Sequence, residues 1–255
     1  MTSSCATRVH EQSFWSRLAV ATLSVAIALS GLFVVVAQKT RPSQKQTGKE
    51  PVRFDFLVRE DFFAGLAGDE KALERAMKAC DKALAKDPRN AEALVWHGAG
   101  TYFLGGRMMS SGDWQRGKDS VVRGSREMDE GVALKPGLET LIPRASVLME
   151  GARHIQSKEY REAALKKSVN DFEQVLKLDS ADFAQHCEHA RGELLGNLAQ
   201  GWYLLGDQDK AWQYLTRMTN ELKGSVYAVA SAKVLKTSPA PEDVHLTCMG
   251  CHTTK

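Results

Sequence analysis

Between about residue 57 and residue 236, apolar residues return every third or fourth position, and almost no stretch alternates β-branched with polar residues. That period places side chains on one stripe of a helix, so the chain is expected to be all-α. The clearest segment, EKALERAMKACDKALAKDP, sets Leu73, Ala76, Met77, Cys80, Ala83 and Leu84 on one stripe. Asp87-Pro88 ends it, because proline cannot continue a helix. EYREAALKKSVNDFEQVLKLD repeats the design with Ala164, Val169, Phe172, Val175 and Leu176. With 43% hydrophobic and 25% charged residues in 255, disorder throughout, a collagen and a multi-span membrane protein are excluded.

The stretch NLAQGWYLLGDQDKAWQYLTRM predicts a helix, a turn at Gly206-Asp207 and a second helix. It resembles a tetratricopeptide repeat (TPR), a hairpin of two helices in which small residues on one helix admit large ones from its neighbour. Leu198, Ala199, Trp202, Gly206, Ala211 and Leu215 take the large and small positions here. Phe63, Ala64, Ala67, Ala76, Cys80, Ala83 and Pro88 do so in the first unit. The phrases ALAKDPRNAEAL, VALKPGLETLI and VLKLDSADFA rhyme at unit ends, but their spacing exceeds the family's. The expectation is three to four irregular repeats over 57–236, with extra loop at 105–117. Ser225 should cap a final helix over 225–235. By resemblance, the stack implies a concave face that binds a protein partner, and it carries no chemistry of its own.

Charge is unevenly spread over the chain. Seven basic and two acidic residues lie in 1–54, whereas the rest of the chain carries a net −2, so the overall balance is only +3. That argues for no nucleic-acid partner. Residues 1–17 form a short tail. Leu18 to Ala37 is an uncharged run of twenty residues, long enough as a helix to span the ~30 Å core of a bilayer. Basic residues bracket it, and Trp15 stands at interface depth. It is read as a transmembrane anchor or uncleaved signal in 18–37. A cleaved signal, with Val35 and Ala37 before the cut, is the rival. Residues 38–56, basic and broken by Pro42 and Pro51, read as a linker.

The tail, 237–255, holds the most specific signal. Cys248-Met249-Gly250-Cys251-His252 is CxxCH, the attachment signature of c-type haem. Two thiols three residues apart reach the two vinyl groups of one porphyrin, and the next histidine points at the iron. Three rivals stay open, one of them a decayed or unused motif. A thioredoxin-type CxxC needs a helix after its first cysteine, and only four residues follow Cys251. A zinc site could draw on His245, Cys248, Cys251 and His252, although adjacent ligands strain a tetrahedron. The expected cofactor is haem c, bound by Cys248, Cys251 and His252, with His252 the proximal iron ligand.

Haem attachment of this kind occurs outside the bacterial cytoplasm. The body should therefore face the periplasm from the inner membrane, although five basic residues after the apolar run favour the opposite orientation. In outline the chain is similar to bacterial membrane-anchored TPR proteins that end in CxxCH. That resemblance implies electron transfer and partner binding rather than catalysis, with a redox protein or respiratory complex as partner. The alternative is a non-redox scaffold whose terminal motif holds zinc or is itself recognised. Neither a nucleophile–base pair nor a phosphate loop is legible. A sixth iron ligand would come from His186 or His189 of QHCEH, read as one helix face, if the tail folds back. His97, His154 and Met108-Met109 are weaker candidates, and Cys80 reads as core packing. Pro239 and Pro241 should keep the tail extended.

Overall fold

The computed structural model describes residues 53–155, 157–240 and 243–247. The anchor at 18–37, most of the linker and the CxxCH residues lie outside the described residues. Among the described residues the protein is all-helical, with no strand and with no helix long and apolar enough to cross a membrane.

Nine α-helices follow one another: α1 (Asp55–Leu66), α2 (Glu70–Lys86), α3 (Ala91–Ser110), α4 (Trp114–Leu134), α5 (Leu138–Ala152), α6 (Lys158–Leu178), α7 (Glu188–Leu204), α8 (Gln208–Glu221) and α9 (Val226–Thr237). A 3₁₀ turn, Phe183–Gln185, precedes α7. Each odd-numbered helix from α1 to α7 packs on the even-numbered one that follows it, and α9 closes the row against α8. Cross-contacts of α3 with α5 and of α6 with α7 join successive hairpins. The arrangement is consistent with an α-solenoid.

Side-chain caps fix several boundaries. The Asp69, Asn90, Asp207 and Ser225 side chains accept hydrogen bonds from the third residue beyond each. Each relieves one of the orphan amides at a helix start. The expected cap at Ser225 and the turn at Gly206 are both present, Gly206 with φ +80°, where a side chain would be strained. Ala76, Cys80, Val169, Phe172, Leu198, Ala199, Ala211 and Leu215 are buried as their spacing requires.

Two local expectations need correction. In α1 the core residues are Val58, Phe62 and Gly65, so Phe63, Ala64 and Ala67 do not hold the inward stripe. Phe62 instead tilts against Trp96 of α3, with ring centroids 4.9 Å apart. The stretch 105–117 is not a long loop, for α3 runs to Ser110 and α4 starts at Trp114. The extra length goes into a long hairpin closed along a glycine seam. Gly98 and Gly105 on α3 face Gly117, Gly124 and Gly131 on α4, and a Cβ built on any of them would meet backbone of the other helix at 2.5–2.9 Å. Glycines seven apart recur on one helix face after two turns, so the seam keeps two backbones in direct contact.

The main core runs from Val95 through α4–α9 and ends with Val244 and Leu246 of the tail. At its centre Arg144 of α5 grips the buried Asp171 of α6 in two hydrogen bonds, 2.8 and 2.7 Å long. Its third contact, at 2.9 Å, is with Asp129 of α4, which Lys167 also holds. Burial pushes the Asp171 carboxyl up, and the Arg144 guanidinium pulls against that shift.

Candidate functional site: the docked tail and the start of α7

Ser238, left-handed at φ 42°, turns the chain out of α9. The chain beyond it then lies along α7. The Tyr203 hydroxyl donates to Pro239 O at 2.6 Å, the Leu246 amide donates to Gln200 Oε1 at 3.1 Å, and Leu246 O comes against Gly196, where a Cβ would lie 2.6 Å from it. As the tail advances from 239 to 246, its contacts on α7 retreat from 203 to 196. The tail therefore runs antiparallel to α7, toward that helix's N-terminus.

Apolar burial holds it there. Val244 and Leu246 are almost fully covered and belong to the main core. Arg153 Nη2, from the α5–α6 turn, donates to Val244 O at 3.4 Å. Gln200 is buried and would be costly without a partner, and the tail amide supplies one. Over residues 243–247 the tail is thus docked on the helical body. The alternation of Val244, His245 and Leu246 turns two apolar side chains inward while His245 stays exposed.

The N-terminus of α7 carries QHCEH, but not as one helix face. The 3₁₀ turn ends at Gln185, His186 and Cys187 are extended at ψ 155° and 154°, and helix starts only at Glu188. His186 points back to Asp179, with Nε2 2.9 Å from Oδ1. His189 is on the helix, its Nδ1 2.8 Å from the Tyr227 hydroxyl of α9. That hydroxyl donates to Glu193 Oε1 at 2.7 Å, so toward His189 it accepts. Nδ1 therefore carries the proton of a neutral His189 ring, and Nε2 carries the lone pair. Gly192 makes the arrangement possible, because the Tyr227 ring lies where its Cβ would be.

Cys187, between the two histidines, is disulfide-bonded. Cys80, the other cysteine among the described residues, is a free thiol that is fully buried, and burial pushes it up to about 12, with Asp81 adding to the shift. The partner of Cys187 therefore lies outside the described residues, where Cys5, Cys248 and Cys251 are. No group of three or more His, Cys, Asp or Glu side chains among the described residues is placed to hold a metal ion.

The weaker candidates fall elsewhere. His97 Nδ1 lies 2.6 Å from Glu127 Oε2, with Asp81 on its other side, and His154 is largely exposed. Met108 and Met109 are in the last turn of α3, with Met109 against Gly117. Sequence reasoning missed the tail's footprint of Gly196, Gln200 and Arg153 altogether. A glutamine in an otherwise apolar helical run was the one available signal for it. Cys248, Cys251 and His252 lie outside the described residues. No family model, no curated protein and no solved structure matches this chain.

Proposed function

We propose that this chain is a membrane-anchored, extracytoplasmic scaffold of TPR type that carries one covalent c-type haem and serves electron transfer and partner binding. The observation that carries this reading is the docking of residues 243–247 on α7, which ties the segment leading into CxxCH to the helical body. A docked tail lets the repeats supply walls and a distal side.

The donor set suits haem c in its chemistry. Cys248 and Cys251 would form the two thioethers, and His252 would be the proximal ligand. His189 is the better distal candidate, because the Tyr227–Glu193 pair sets the tautomer that ligation through Nε2 needs. His186 is turned to Asp179. When bound, the haem supplies a one-electron iron couple; the chain's own residues hold it, orient the ligand ring and set its distance from a partner on the repeat surface. The disulfide at Cys187 supports an oxidising compartment, and so the orientation with the body outside. It thereby weighs against the positive charge that follows the apolar run.

The test is expression with the cytochrome c maturation machinery, followed by a denaturing gel stained for haem peroxidase activity. A stained band at the chain's 28.1 kDa is the expected result. An unstained band containing stoichiometric zinc would replace this reading with a non-redox scaffold whose terminal motif is a metal clip.

A further inference from the structure

Among the described residues, each hydrogen bond from the helical body to the tail ends on the tail's main chain. Tyr203 meets Pro239 O, Arg153 meets Val244 O and Gln200 meets the Leu246 N–H, while Gly196 leaves room for Leu246 O. Val244 and Leu246 are buried in the core, and Asp243 and His245 are exposed. Such a strip recognises an extended backbone with two aliphatic side chains one residue apart. It asks little of the sequence between and around them, so another chain of that pattern can make the same contacts.

The strip stands on the body's own packing. The Tyr203 ring stacks on Trp212 of α8, with centroids 5.4 Å apart and planes 13° from parallel, which fixes the hydroxyl independently of the tail. Gly196 is flanked by the fully buried Leu195 and Leu198. A site built in advance spends less of its binding energy on ordering. The tail, by contrast, leaves α9 at Ser238, which is the one non-glycine with positive φ among the described residues. Its release relaxes that backbone. A bare strip would expose the apolar walls that Val244 and Leu246 cover, so exchange for another chain costs less than emptying.

We propose that the α7 strip of Gly196, Gln200 and Tyr203 is a peptide-docking groove that the chain's own tail closes, and that an extended partner segment with two aliphatic side chains one residue apart displaces the tail. The tethered tail competes at an effective concentration of about millimolar. A second copy's tail carries the same pattern, but its own strip retains it at that same concentration, so micromolar protein does not exchange tails. A partner that also touches the repeat surface makes up the difference by linked binding. The inference deepens the partner-binding half of the reading above, and it rests on the docked residues rather than on haem.

The probe is a fluorescent peptide of residues 238–247, whose anisotropy is followed as full-length protein is added. The protein is made without the maturation machinery and kept reduced, so neither haem nor the bond at Cys187 plays a part. Leu246→Asp in the protein undocks the tail and should tighten peptide binding at least tenfold over wild type. A peptide carrying His245→Ala should bind that variant as well as the parent peptide does, and one carrying Leu246→Asp should not bind. Gly196→Leu added to the Leu246→Asp protein should abolish binding. Should that double variant fail to fold by circular dichroism, the two altered peptides decide alone. Equal affinities for wild type and Leu246→Asp protein, or binding that survives Leu246→Asp in the peptide, overturn the proposal. Dimers of wild type at micromolar concentration that Leu246→Asp dissolves also overturn it, because the strip then belongs to a second copy. A stained haem band with no peptide binding leaves the cytochrome reading standing and removes this one.

Discussion

Gly98 and Gly124 meet backbone to backbone: a Cβ built on Gly98 would lie 2.6 Å from Gly124 O, and one built on Gly124 would lie 2.5 Å from Gly98 O. Neither oxygen is the end of a flexible side chain, so a methyl group at either position must push α3 and α4 apart. That seam is the reason two helices of 20 and 21 residues pair along their whole length.

Gly124→Ala should therefore destabilise the protein by about 1–3 kcal/mol or more, the usual cost of overpacking. Gly106 on the same helix as Gly98 is the control, since nothing lies within 4 Å of a Cβ built there. Gly106→Ala should stabilise by roughly 0.5–1 kcal/mol, by restricting the unfolded chain. Urea denaturation midpoints moving in opposite directions would support the seam. A shift of the same sign for both would reject it.

The Arg144–Asp171 pair makes a second, separable prediction. Removing Asp171 as a charge leaves a mostly buried guanidinium with only the half-exposed Asp129 as partner. Asp171→Ala should cost about 3–5 kcal/mol, because an uncompensated buried charge is worse than no charge at all. The double change Arg144→Leu with Asp171→Leu should recover most of that loss in the same denaturation assay. Equal losses for the single and double variants would show that packing, not charge, sets the value of the site.

Cys80 titrates in a direction that can be checked at high pH. Burial, with Asp81 adding to it, raises its folded value from 9.0 to about 12, so the folded state favours the neutral thiol. The stability this confers is fully present below pH 9 and is lost as the pH rises from 9 toward 12. Wild type should lose stability over that window faster than Cys80→Ala, whose constant cavity cost is independent of pH. At neutral pH the thiol should resist alkylation until the protein unfolds. Parallel stability curves for the two proteins would refute this account.

How much of this was legible follows from what each feature depends on. The stripes of α2, α6 and α8 and the cap at Ser225 are local, and local period and capping chemistry revealed them. The glycine seam was written in the sequence too, as Gly117, Gly124 and Gly131. Low helix propensity made 105–117, which holds only Gly117 of these three, read as loop, because propensity knows nothing of a helix pressed against the glycines. The inward stripe of α1 slipped because Phe62 and Phe63 are adjacent, and what selects between them is the cluster with Leu73, Ala76, Cys80 and Trp96 on the next two helices. The tail needed still more distant information. Its alternating Val244 and Leu246 gain meaning only beside Gly196 and Gln200, and QHCEH reads as helix until the break at 183–185 is seen. CxxCH itself was the most specific signal in the chain, and it lies outside the described residues.

Tail docking gives the last prediction, and it concerns where an effect appears as much as its size. Val244 and Leu246 are buried, and the Leu246 amide is bound to Gln200 inside the core. Leu246→Ala removes apolar contacts worth about 2–5 kcal/mol at a fully packed site. The tail follows the last helix, so it can detach while α1–α9 stay folded. Local opening is then the cheaper response, and the cost should be read there rather than in global melting. Amide exchange at 244–247 should accelerate by an order of magnitude or more in Leu246→Ala, each ~1.4 kcal/mol being tenfold. The melting temperature should change little. Gln200→Leu should act at the same amides by removing the acceptor of the buried Leu246 N–H, which costs about 1–3 kcal/mol. In wild type the Leu246 amide must itself be protected. If it exchanges as fast as a free peptide, the tail is not docked, and the proposed haem reading loses the observation that carries it.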